Sequence, residues 1–293
     1  MAEKANLQLD IDQMAMKRWL SLRKTTKSKP HSTFDTNKAY LCCKQFLKQN
    51  SKGLFLGEIN IERLEANMRA LKVLIEIISQ QGQHEKTILY SSQLLSWSVI
   101  YRQEKTVQTQ PSENPLKLLE SFLWFTSGYA HLQLGHVGKA IEDLRNAEQF
   151  CKEDNSLLIK IYYAQMMTCL MNSEARSTMS YLTKLLLIFY KGYLLNTTMN
   201  CDDSPTSTQA SDLANLPDEF WKCFISSFSS LPLLELAESA KKQYNLPIAK
   251  ILLEHFISCH STTFSLKSEV NYARSKLKEI QRINQVMNDT ATF

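Results

Sequence analysis

The chain has 293 residues, 44% of them apolar, with seven glycines, seven prolines and a formal net charge of +5. That apolar content suffices for a substantial core and excludes a disordered tail, while so few glycines and prolines exclude the many tight turns of an all-β fold. No run reaches the roughly 20 apolar residues of a membrane span, and no apolar stretch follows the first basic residues as in a secretory leader. The seven cysteines are odd in number and scattered, so free thiols are expected. The expectation is an all-α, soluble, intracellular protein, cytoplasmic or nuclear, with no membrane partner.

Charge is concentrated at the front. Residues 1–52 carry eleven Lys and Arg against four Asp and Glu, whereas the remainder carries 23 against 25. Residues 1–35 read as a partly flexible basic segment, densest at 17–29 (KRWLSLRKTTKSK). Lys17, Arg18, Arg23, Lys24, Lys27 and Lys29 are its candidate contacts for nucleic acid, an acidic partner or a nuclear import receptor. The plainer reading is the solvated end of a basic helix.

Helical periodicity then begins. Residues 36–48 place Ala39, Tyr40, Cys43, Phe46 and Leu47 on one face, and residues 61–80 place Leu64, Met68, Leu71, Leu74, Ile75 and Ile78 likewise. Gly82 stops the second helix, and residues 85–102 continue with Ile88, Leu89, Leu95, Val99 and Ile100 to complete a hairpin. Residues 103–113 are polar and read as a loop.

Asn114-Pro115 is a helix start, because Asn accepts bonds from unpaired amides and proline is tolerated in the first turn. From there Leu118, Leu119, Phe122, Phe125, Tyr129 and Leu132 recur at helical spacing, Gly135 ends the helix, and residues 137–150 follow with Ala140, Ile141, Leu144, Ala147 and Phe150 on one side. Small residues at Gly128, Ala140 and Ala147 allow close helix approach. With Trp124 and Gly135, these make residues 124–147 resemble a tetratricopeptide repeat, departing from it at Ser127, His131 and Lys152. The resemblance implies stacked antiparallel helical hairpins, an α-solenoid of tetratricopeptide-repeat type. In family members that clamp an acidic peptide terminus, the inner helix presents Lys and Asn. The matching positions here are Phe122, Phe125, Tyr129, Leu132 and Gln133, which implies a groove for an apolar partner segment instead.

A further hairpin is expected at 157–171 and 177–195, which extends the array over 36–195 without the repeat's glycine and alanine signature. Residues 196–216 are rich in Ser, Thr, Asn and Asp, lack aromatics and read as a flexible polar loop. Residues 217–293 then supply a short helix at 218–228, a hairpin at 231–244 and 247–259 with small contacts at Ala237 and Ala249, and a C-terminal capping helix at 266–287.

Catalytic patterns are sparse. No phosphate-binding loop, dinucleotide glycine motif, serine elbow or kinase signature is present. His255 and Cys259, four apart on one helix, make half a zinc site with no second pair spaced to complete it, so neither metal nor cofactor is expected. His131 and His136 lack a nearby nucleophile or paired carboxylate, which favours a structural role over general-base chemistry. The function expected is that of a non-enzymatic scaffold or adaptor within an intracellular protein complex. A nucleic-acid-associated factor using the basic segment is the alternative, and an enzyme with a helical active site is the least favoured reading.

Overall fold

The computed structural model describes residues 33–55, 59–108, 114–151, 154–197, 213, 215–228 and 231–291. In chain order the helices are α1 (Thr33–Asn50), α2 (Ile61–Gln80), α3 (His84–Gln108), α4 (Asn114–Gln133), α5 (Val137–Phe150), α6 (Asn155–Met171), α7 (Ala175–Thr197), α8 (Asp218–Ser227), α9 (Leu233–Lys242), α10 (Leu246–His260) and α11 (Lys267–Ala291). No strand occurs among the described residues, and no described helix is long and apolar enough to cross a membrane. The all-helical expectation therefore holds. The chain divides into two compact units, Met1–His136 and Val137–Phe293, and the boundary falls inside the repeat-like segment: α4 closes the first unit and α5 opens the second.

The helix starts follow from short polar side chains. Asn60 accepts a 2.9 Å bond from the Arg63 amide, Asp154 a 3.0 Å bond from Leu157 and Asn245 a 3.3 Å bond from Ile248, each satisfying an amide that the first turn leaves unpaired.

The helix ends share one device. After α2, α4, α6 and α9 a residue takes a left-handed conformation: Gly82 (φ 69°), Gly135 (φ 75°), Ser173 (φ 57°) and Tyr244 (φ 57°). In each case the next amide reaches back five residues, Gln83 to Ile78 at 3.0 Å, His136 to His131 at 2.8 Å, Glu174 to Cys169 at 2.9 Å and Asn245 to Ala240 at 2.9 Å. These bonds satisfy the last carbonyls of the helix and turn the chain within three residues. A Cβ at Gly135 would meet no atom within 4 Å, so replacing it isolates the backbone term. Gly135→Ala is expected to cost about 1 kcal/mol in urea unfolding, and a cost above about 3 kcal/mol would mean that packing, not conformation, holds this glycine.

In unit 1 each helix packs on the one before it, α1 on α2, α2 on α3 and α3 on α4. The centre is α2. One side of it sets Ala66 and Ala70 under Phe46 of α1, the small residues allowing close approach. Leu64, Leu71, Leu74, Ile75 and Ile78 form the main core with Leu94 and Trp97 of α3 and Leu123 of α4. Arg63 ties the end of α1 to α2, donating from Nε to the Asn50 carbonyl and from its terminal nitrogen to that of Lys52, both at 2.9 Å.

In unit 2, α5 packs on α6, α6 on α7, α7 on α8 and on α9, α9 on α10, and α10 on α11. Phe220, Trp221 and Phe224 of α8 meet Phe189, Tyr190 and Tyr193 of α7, and the core runs on through Leu236 and Ala240 of α9, Ala249 and Leu252 of α10, and Ala273 and Ile280 of α11. Both expected small contacts, Ala237 and Ala249, are buried there. The polar stretch expected over 196–216 differs at its ends: α7 runs on to Thr197, and Leu213 and Leu216 join the core. Residues 198–212 and 214 lie outside the described residues.

Candidate interaction surface

α4 is the helix on which the candidate groove was placed, and its other side is polar and buried. Ser121, Thr126, Ser127 and Glu120 are all at most 5% exposed. The Ser91 hydroxyl of α3, 3.3 Å from that of Thr126, donates to it, since Thr126 spends its own proton on the Leu123 carbonyl at 3.0 Å. Further along, the Ser98 hydroxyl shares its one proton between the Leu95 carbonyl at 2.7 Å and Glu120 Oε1 at 3.1 Å, and the Arg102 guanidinium pairs with the same carboxylate oxygen. Glu120 Oε2 is buried with no hydrogen-bond partner among the described residues. Small hydroxyl side chains bring α3 and α4 together, and one ion pair fixes their register.

The five groove residues separate on this frame. Phe122 is partly buried against the core of unit 1, with Lys72 Nζ 5.5 Å from its ring centroid. Leu132 is 6% exposed. Phe125, Tyr129 and Gln133, successive i+4 positions, form one edge: Phe125 is half-buried, Tyr129 and Gln133 are exposed, and the two rings lie 6.1 Å apart at 30°. Phe122 and Leu132 therefore serve packing, and the accessible remainder is a three-residue strip. Gly128 and Ala140, expected to meet across the hairpin, are both buried and belong to different units.

Other candidate groups fall as follows. Lys17, Arg18, Arg23, Lys24, Lys27 and Lys29 lie outside the described residues. His131 and His136 bond to each other, Nδ1 to Nδ1 at 3.3 Å. His255 is held below the usual imidazole range by burial, with Lys222 acting in the same direction against Asp218 and Glu254, and Cys259 is exposed. Among the described residues no three His, Cys, Asp or Glu side chains gather to hold a metal. Cys42, Cys43, Cys151, Cys169, Cys223 and Cys259 are free thiols.

Comparison with known proteins gives no match: no family model, no curated protein and no solved structure is similar to this chain.

A second polar group, which the pattern of the sequence did not single out, joins three helices of unit 2. Glu148 of α5 accepts from Lys184 Nζ of α7 at 2.7 Å and from Gln165 Nε2 of α6 at 3.0 Å. The Lys184 ammonium also lies 5.0 Å from the ring centroids of both Tyr162 and Tyr181. Burial raises the Glu148 pKa, the hydrogen bonds from Lys184, Gln165 and Tyr162 lower it, and the carboxyl ends below its usual range. Burial and Glu148 together push the Tyr162 phenol up to about 12. A carboxylate with a depressed pKa stabilises the fold above its unfolded value, about 4.3, and that contribution is lost as pH falls through the folded value. Lys184→Met is therefore expected to lower the unfolding midpoint at neutral pH, with the gap to the native chain closing as pH falls toward about 3. A gap constant with pH would mean that Lys184 acts through its aliphatic stem alone.

Proposed function

We propose that this chain is a non-enzymatic scaffold or adaptor that joins partner proteins within an intracellular assembly, through a helical surface resembling that of tetratricopeptide-repeat proteins. The observation that carries the reading is the Phe125–Tyr129–Gln133 strip: two aromatic rings in register on one edge of α4, with Tyr129 36% exposed. An aromatic strip of this kind binds an apolar segment, each Å² removed from water contributing about 25 cal/mol. The recurring hairpin turns support it, because stacked hairpins present such edges on a stiff frame.

The test is affinity capture with the full chain and with a Phe125→Ala/Tyr129→Ala variant. At least one captured protein is expected to fall about tenfold in recovery, a loss near 1.4 kcal/mol of binding, while the helical circular dichroism and melting midpoint are kept. Unchanged capture together with a lowered midpoint would assign the strip to internal packing and overturn the reading.

A further inference from the structure

The turn between α9 and α10 is the odd member of its set. The three other turns place Gly82, Gly135 and the small Ser173 at the left-handed position, but this one places Tyr244, at φ 57° and 90% exposed. A bulky residue is strained there, and an exposed ring recovers nothing by burial. Glycine would serve the turn better, so the fold does not account for the ring.

At this turn opens a cleft of about 350 Å³. Arg176, Ser180, Thr183 and Lys184 of α7 line one side of it, and Gln243 and Asn245, the two chain neighbours of Tyr244, line the other. No carboxylate is among the lining residues. Lys184 is already committed to Glu148 at 2.7 Å, whereas Arg176 is exposed and makes no ion pair or hydrogen bond with the described residues. The nearest acid in sequence, Glu174, accepts from the Asn172 amide. Asn245 spends its side-chain oxygen on the Ile248 amide at 3.3 Å, which leaves its NH₂ to donate. The first turns of α7 and α10 contain no acidic residue, so the positive ends of both helix dipoles reinforce Arg176.

We propose that this cleft docks an acidic peptide segment of a partner protein, with a carboxylate on Arg176 and the Gln243 and Asn245 amides and a neighbouring side chain against the Tyr244 ring. One free guanidinium with amide donors suits a carboxylate, which Arg binds through paired hydrogen bonds. Nucleic acid is disfavoured, because tight binding to a phosphate backbone draws on several uncommitted cations. The surface belongs to unit 2 and uses none of the α4 strip, so it stands or fails separately from the proposed function.

The experiment is fluorescence anisotropy of labelled hexaglutamate and hexaglutamine peptides against the full chain at low ionic strength. Hexaglutamate is expected to bind and hexaglutamine not to. Arg176→Glu should weaken binding at least about tenfold. Tyr244→Gly should weaken it about threefold while raising the melting midpoint, a divergence that a purely structural tyrosine would not give. Lys72→Glu, a cation of unit 1, should leave binding unchanged. Absence of hexaglutamate binding, equal loss with Lys72→Glu, or indifference to both cleft variants would overturn the proposal. So would binding that appears only after Asp202→Asn and Asp203→Asn, which would assign the cleft to the chain's own acidic segment. Stronger binding of a labelled thymidine oligonucleotide, lost in Arg176→Glu, would assign it to nucleic acid instead.

Discussion

Replacing Phe220 with alanine is expected to destabilise unit 2 by about 3–5 kcal/mol, the range for emptying a fully buried aromatic site. The ring is 0% exposed. It stands at 80–86° to Tyr190, Tyr193 and Trp221, with centroids 5.5 to 5.8 Å away, and nearly parallel, at 15°, to Phe224. Edge-to-face pairs add to area burial because the positive rim of one ring meets the negative face of the next. Six aromatic side chains from only two helices, α7 and α8, cannot collapse to refill the space without abandoning these geometries. Against a typical total stability of about 5–15 kcal/mol, such a loss leaves the unit marginal at best. Urea unfolding reads the effect, and Phe220→Leu, which keeps most of the volume, should cost under about half as much. An alanine variant within about 1 kcal/mol of the native chain would mean that the cluster contributes little.

Arg102→Ala is expected to cost unit 1 about 2 kcal/mol. Removing one partner from a buried pair leaves the other charge enclosed, typically a loss of about 3–5 kcal/mol; here the Arg102 side chain is 45% exposed while that of Glu120 is 5% exposed, so water reaches one end and reduces the loss. The sharper expectation concerns the double variant. Arg102→Met/Glu120→Leu removes the buried charge along with its partner and should be more stable than Arg102→Ala alone, a coupling that a double-mutant cycle measures. A double variant that merely adds the two single losses would show that Glu120 does not depend on Arg102.

The parts of the fold that could be read in advance were those where one local rule sufficed. α2 runs from Ile61 to Gln80 as its periodicity indicates, because Asn60 caps one end and Gly82 the other. α3 extends past the expected Arg102 to Gln108, since Gln103, Glu104 and Lys105 are good helix formers that continue the helix without an apolar face to reveal it. The turns at Ser173 and Tyr244 match those at Gly82 and Gly135 in hydrogen bonding; the helical periodicity on either side marks all four hairpins, but only the two glycines mark the left-handed position in advance. In the candidate groove, spacing placed five residues on one broad face, but periodicity does not say which neighbours a face meets. The core built by α2 and α3 takes Phe122, and Leu132 is buried, which leaves only Phe125, Tyr129 and Gln133 toward the surface. Glu120 has a signal in the sequence, a lone acid in the run Leu118 to Phe125, and its buried charge has Arg102 as the partner. The candidate contacts of the basic front segment, Lys17 to Lys29, lie outside the described residues, and their role rests on charge alone.

The measurement that most directly tests the scaffold reading is photo-crosslinking in cells from a benzophenone amino acid placed at Tyr129, with the same group at the fully buried Leu123 as the reference site. A surface that docks a partner yields an adduct containing a second protein from position 129 and none from 123. Crosslinks from Tyr129 confined to this chain would contradict the account and make the strip part of its own packing.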